Sequence, residues 1–267
     1  MTDVATAGEP FRIGSCLARA LSVYFAYFIS FNAMGLLVML PGFLVLTMFF
    51  GNLLVGLVPG VMAAEGRFHI SPGVALGFLG AFVAVLSVMY LLIAAAACGA
   101  LQYLQGSNMP ASAAVERGLY RIVPLVALAA ITAVLVLLGS LLLVVPGIVI
   151  ALTFCVAVPV QMVERPGIRA SFSRSRELTS GARWQLFGLF LIAIGGSVAA
   201  VAVVALPFNL LLPEGGPMTL VATMIGGTIQ LFTTVFLAVV VAVAYHDLRR
   251  AKDGVSTAQL AAAASAR

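Results

Sequence analysis

The charged residues of this chain cut it into long pieces that carry none. No Asp, Glu, Lys or Arg occurs in residues 20–64, 68–115, 122–163, 184–213 or 215–246. About twenty apolar residues suffice for a helix to cross the hydrocarbon core of a bilayer. Inside that core every backbone N–H and C=O must find its partner within the protein, which leaves helices or closed barrels. Alternating segments of about ten residues, the mark of a barrel, are absent. The sequence therefore predicts an all-α polytopic membrane protein. Composition agrees: 63% of residues are apolar and 9% charged, against roughly a quarter charged in a soluble domain.

Reading the runs in order gives six transmembrane helices, at about 24–50, 74–98, 124–144, 148–163, 186–206 and 218–245, in a single membrane domain 1–250 with a cytoplasmic tail 251–267. Pro41-Gly42 should kink or break the first, and the alternative is two short arms, 24–40 and 42–58, the second re-entrant. Residues 51–72 read as the longest external loop. A tight turn is expected at Val145-Pro146-Gly147, and a kink at Pro159 near the inner end of the fourth span. Ahead of three of the spans lie amphipathic stretches around 11–21, 111–121 and 168–184. The expected architecture is thus three units, each an interfacial helix followed by a transmembrane hairpin. In the first helix Arg12, Ser15, Arg19 and Ser22 fall on one side at helical spacing, with Ile13, Cys16, Leu17 and Leu21 on the other.

Orientation follows from the basic residues. With both termini inside, the inner segments hold thirteen of the fourteen and only Arg67 lies outside. Cytoplasmic loops carry the excess of Lys and Arg, so N-in, C-in is the reading, in a bacterial inner membrane. The acidic N-terminus has no basic region ahead of a short apolar core and does not read as a removable signal. The net charge of +5 points to anionic lipid head groups rather than nucleic acid, because the basic residues flank spans.

The densest basic segment is 165–184. Arg165, Arg169, Arg174, Arg176 and Arg183, with Trp184 as an amphipathic anchor beside Phe172 and Leu178, form the candidate surface for lipid head groups and for fixing topology. Residues 144–164, VVPGIVIALTFCVAVPVQMVE, followed by ASFSRSRELTSGARWQLFGLFL at 170–191, resemble the membrane domain associated with bacterial glycerophosphoryl diester phosphodiesterases. They also resemble a wider set of uncharacterised multi-span bacterial proteins. YHDLRRAKDG at 245–254 is similar to that family's ending, and 12–25 fits more loosely. The resemblance implies a fold and a location. It does not carry over the phosphodiesterase activity, which belongs to a separate soluble barrel with metal-binding carboxylates and paired histidines that this chain has no room for.

Other candidates are weighed against simpler roles. Glu116, Glu164, Glu177 and Asp247 at inner span ends are expected to form interfacial ion pairs with the arginines rather than do chemistry. His246 is read as part of an interface anchor beside Tyr245 in preference to a pH-responsive pair with Asp247. Cys16, Cys98 and Cys155 show neither metal spacing nor a pairing pattern. Gln230, Thr233 and Thr234 are the polar residues in a span that would line a cavity, although helix-to-helix hydrogen bonding is the simpler reading. The glycine pairs 195–196 and 226–227 are read as close-packing points in preference to unwound segments. No cofactor is expected. The preferred function is a non-catalytic membrane component in envelope or lipid organisation, or an accessory subunit to other membrane proteins. A transporter or lipid-handling protein without an ion-coupling charge is the alternative, and a membrane-embedded lipid phosphodiesterase comes third.

Overall fold

The structure is a computed structural model, and it describes residues 11–38, 40, 73, 77, 80, 88–100, 116, 119–120, 122–164, 166–211 and 217–253. Among these residues there are nine helical stretches. They are α1 (Ile13–Ala26), α2 (Phe28–Val38), α3 (Val88–Ala100), α4 (Ile122–Leu142), α5 (Val144–Phe154), α6 (Ala157–Val163), α7 (Ile168–Thr179), α8 (Arg183–Leu211) and α9 (Pro217–Asp253). Four segments are long and apolar enough to cross a membrane: Ile122–Leu142, Val144–Val163, Arg183–Val204 and Ile225–Asp253. The pair α1 and α2, bent by 82° at a break between them, adds a fifth when taken together. The expected loop 51–72, the arm 42–58 and most of the helix around 111–121 lie outside the described residues.

Two helices form the centre because their side chains are small. In α3, Ala94 to Ala97 and Ala100 are fully buried, so neighbours approach from every side. Ala94 packs with Leu125, Leu128, Ala157 and Val158, while Ala95 to Ala97 join a larger cluster with α1, α2, α8 and α9. The inner half of α9 is similar: from Ala238 to His246 every residue is buried. A helix that is apolar all round belongs in an interior, and here Val and Ala supply that surface without bulk. Close approach of small residues is how helices gain packing when lipid is as apolar as the partner. At the rim, Leu137, Leu138, Leu141 and Leu142 of α4 stand exposed. An apolar patch of this kind is costly in water and at home in hydrocarbon.

Several expected boundaries move, each for a physical reason. The first bend comes at Tyr27, well before Pro41, where the Tyr27 N–H still reaches the Val23 carbonyl at 3.4 Å but its φ and ψ have left the helical region. The expected first span, starting at 24, is therefore interrupted by this bend, and α2 starts at Phe28 on its far side. The turn between α4 and α5 is a single extended residue, Leu143, and Pro146-Gly147 lie in the first turn of α5. A proline costs nothing in that turn because its missing N–H has no partner to give up. The break near Pro159 falls at Cys155 and Val156. Proline at 159 removes the hydrogen bond to the Cys155 carbonyl and crowds that group, so the ladder opens four residues upstream. The basic helix stops at Thr179. Gly181, with φ +82°, makes the turn that follows, a conformation that costs glycine least. Arg183 and Trp184 consequently start α8 instead of closing α7. Finally, α9 continues through the stretch read as tail, to Asp253.

The α4–α5 hairpin closes on Gly147, where a Cβ would collide with the Ser140 side chain and lie 3.0 Å from its Cα. Gly147→Leu is expected to force the two helices apart and cost roughly 1–3 kcal/mol, the usual range for overpacking. Gly195→Leu, at a position with nothing within 4 Å, should leave the unfolding midpoint in detergent nearly unchanged. Equal midpoints for the two variants would contradict this packing.

A candidate charge-paired platform at one end of the bundle

The site is built from the helix ends that the apolar runs leave behind. On α7, Ser171, Ser175, Leu178 and Thr179 are buried at successive helical turns, while Arg169, Ser173 and Arg176 face out. The small hydroxyl residues let α7 lie close to α5 and α6. Ser171 Oγ donates to Gln161 Oε1 at 2.6 Å, and Ser175 Oγ and Thr179 Oγ1 donate to the Thr153 carbonyl at 2.8 and 3.3 Å. That carbonyl sits where the break at 155–156 interrupts the helix. The hydroxyls of α7 thus satisfy a backbone group that would otherwise be exposed to hydrocarbon.

Glu164, just past α6, is the hub. Its Oε2 accepts from Arg174 Nε at 3.2 Å, and its Oε1 accepts from the Tyr245 hydroxyl at 3.0 Å and lies 3.7 Å from Arg249 Nε. Arg249 also donates to the Tyr245 oxygen at 3.1 Å and faces Asp253 at 3.5 Å. Arg174 reaches Glu177 at 3.0 Å and pairs with Asp253. Lys252 Nζ donates to the Glu177 carbonyl and to Ser180 Oγ, both at 2.6 Å. On the α1 side Arg19 pairs with Asp247, whose carboxylate also faces His246 Nδ1 at 3.2 Å. Burial works against the charge on Arg174. The hydrogen bond Arg174 donates to Glu177 and the fields of Glu164, Asp253 and Glu177 outweigh it, and the guanidinium pKa is raised.

The expected ion pairs at Glu164, Glu177 and Asp247 are therefore present, and Glu116 is exposed without one among the described residues. Of the six residues proposed for the lipid-facing surface, Arg165 lies outside the described residues. Arg174 is consumed in the network, Arg169 and Arg176 are exposed on α7, and Arg183 and Trp184 open α8, with Trp184 84% exposed. Phe172 and Leu178 are not membrane anchors: Leu178 is fully buried, and Phe172 meets Phe154 edge to face at 4.9 Å. Nor are Tyr245 and His246, which are 1% and 2% exposed. The spacing Tyr245, Arg249, Asp253 puts all three on one face of α9, a signal present in the sequence that the expected span end at 245 concealed.

The polar residues proposed for a cavity do not converge. Gln230 is exposed and its Nε2 stays on its own helix, 3.4 Å from Thr234 Oγ1. Thr233 and Thr234 donate to the Gln230 carbonyl. Only Thr233 lines a groove, and that groove is apolar. Residues 195–196 and 226–227 lie within continuous helix, with nothing within 4 Å of a Cβ at any of them. They are not unwound, and among the described residues none is a close-packing point.

No protein-family model, curated protein or solved structure matches this chain.

Glu164→Ala would leave Tyr245, Arg174 and Arg249 without their shared acceptor, and should cost about 2–3 kcal/mol, the range for hydrogen bonds to a charged group. Glu177→Ala removes a side chain that is 62% exposed and should cost about 0–1 kcal/mol. Unfolding titrations of the two variants in mixed detergent micelles check the order, and a reversed order would show that Glu164 is not the hub.

Proposed function

We propose that this chain is a six-span bacterial inner-membrane protein, N-in and C-in, that acts as a non-catalytic component in lipid or envelope organisation or as an accessory subunit. The observation that carries the reading is how the charges at one end of the bundle are divided. Glu164, Glu177, Asp247 and Asp253 are all engaged by Arg19, Arg174 or Arg249. Among the described residues no ion pair engages Arg12, Arg169 or Arg176, which are exposed. The carboxylates close the structure, and the arginines left over present positive charge on the same side. A basic surface next to span ends suits the anionic cytoplasmic leaflet, at about 1 kcal/mol per residue near the surface. The 82° bend between α1 and α2 supports α1 lying along the membrane plane. The likeness of residues 144–191 to the phosphodiesterase-associated membrane domain is in keeping with this role.

The test is reconstitution into vesicles of phosphatidylcholine with increasing phosphatidylglycerol. Enrichment of the anionic lipid around the protein should fall about thirtyfold in the double variant Arg169→Glu, Arg176→Glu, from two residues at that energy. A fluorescent reporter at the C-terminus should light up in the cytoplasm, and a phosphatase reporter inserted after Gly66 should be active outside. Unchanged lipid preference would remove the basis of the reading. Uptake of a defined solute that is lost in Gln230→Ala would replace it with a transporter.

A further inference from the structure

The described helices leave a concavity of about 480 Å³ in their apolar exterior, between α1, α2, α8 and α9. Its floor is Ala193, Gly196 and Ala200 on α8, and Phe28, Ile229 and Phe236 stand as walls. Leu17 and Leu21 of α1 close one end. We propose that this groove seats one acyl chain of a phospholipid, drawn from the leaflet that borders α1. The inference rests on the membrane-spanning reading above, and is independent of the arginine surface.

Three observations select that occupant. The first is where the groove opens. Leu21, Phe25 and Ile192 in its lining are 39%, 65% and 52% exposed, so its contents come from the hydrocarbon of the bilayer. The second is that its hydroxyls are already spent. Ser197 Oγ donates to the Ala193 carbonyl at 2.8 Å, Thr233 Oγ1 to the Gln230 carbonyl at 2.9 Å, and the Tyr24 hydroxyl is within 3.1 Å of Asn32 Oδ1. An acceptor group of a ligand would lose its hydrogen bonds there and gain none, and only hydroxyl lone pairs remain for a donor. A sugar, an ion or a head group is disfavoured on that ground, and a hydrocarbon chain is not.

The third observation is length. The lining runs from Ile192 to Ala200 on α8 and from Ile229 to Phe236 on α9, about 10–12 Å at a helical rise of 1.5 Å per residue. One leaflet contributes about half of the ~30 Å hydrocarbon core. A transmembrane helix of a partner, about 30 Å long, would have to continue well past the groove. An acyl chain stops within its own leaflet and needs no further room.

A Cβ at Gly196 meets nothing within 4 Å, so Gly196→Trp puts an indole into the groove without forcing the backbone. Ala200→Phe fills the same floor one turn on. The full chain, extracted from membranes in mild detergent, should retain one phospholipid by native mass spectrometry. Retention should fall at least fivefold in either variant, with the unfolding midpoint kept. Unchanged retention in folded variants overturns the proposal.

A photoreactive benzoylphenylalanine at Ile229, irradiated in vesicles of phosphatidylcholine and phosphatidylglycerol, decides the matter if both variants misfold. An adduct on phospholipid of either head group supports the groove. A cross-link to a second copy, or to residues 41–87 of the same chain, overturns it. Loss of the anionic preference with the adduct intact would sink the arginine surface alone, and the converse would sink the groove alone.

Discussion

The carboxylate of Glu164 is the point on which the charged end of the bundle depends. A span can end anywhere its apolar run ends, and nothing in hydrocarbon packing fixes one helix end against another. Glu164 does so by accepting from Tyr245 of α9 and Arg174 of α7 and lying beside Arg249. Chain segments eighty residues apart are thereby brought to a common level. Because these groups are half-buried, their mutual attraction is less screened than that of a surface pair. The hydrogen bonds from Tyr245 and Arg174 satisfy lone pairs that a simple ion pair would leave bare. Arg19 and Asp247 do the same for α1 on the other side of α9. The result is a neutralised seam lying just beyond a core made of alanine and valine.

That core explains why the seam can exist. Small side chains on α3 and α9 let helix axes come close, as where Gly35 of α2 lies so near Val235 that a Cβ would overlap its side chain. Close axes bring the ends within reach of side chains as short as Asp. The cost of small residues is reduced contact area per helix, and the hydroxyls of α7 make up part of it. Ser175 and Thr179 bind the Thr153 carbonyl at the break above Pro159. A hydrogen bond between helices in a membrane is worth about 0.6 kcal/mol on average, but leaving that carbonyl unpaired would cost several times more.

Much of the fold was legible because charges punctuate the sequence. The helical class, the start of α4, both ends of α8 and the bounds of the basic helix α7 fall close to where uncharged runs begin and end. Proline and glycine were less informative by position alone. Pro159 acts on the residue four before it, Pro146 sits harmlessly in a first turn, and the 82° bend at Tyr27 has neither residue nearby. The site was half legible. Local spacing marks Ser171, Ser175 and Thr179 as one face and Tyr245, Arg249 and Asp253 as another. Which carboxylate meets which arginine was not, since Arg19 and Asp247 are 228 residues apart and no periodicity links them. Gln230, read as a candidate cavity residue because it is polar within a span, has its amide 3.4 Å from the Thr234 hydroxyl one turn on.

The division between spent and unspent charge has a consequence for how such a protein meets its surroundings. Salt bridges that hold helices together are least useful for recognition, because opening one to bind a ligand leaves its partner half-buried and unpaired. On the proposed reading, recognition at this end would fall to the groups outside the seam, Arg12, Arg169 and Arg176, whose exposure would make binding weak for each residue and sensitive to salt. The groove beneath α1 is the opposite case. Its hydroxyls are satisfied and its walls apolar, so what it holds is selected by shape and not by charge. One molecule can answer both descriptions, with a chain in the groove and an anionic head group at the level of the arginines. A phospholipid is the component of a bilayer built that way.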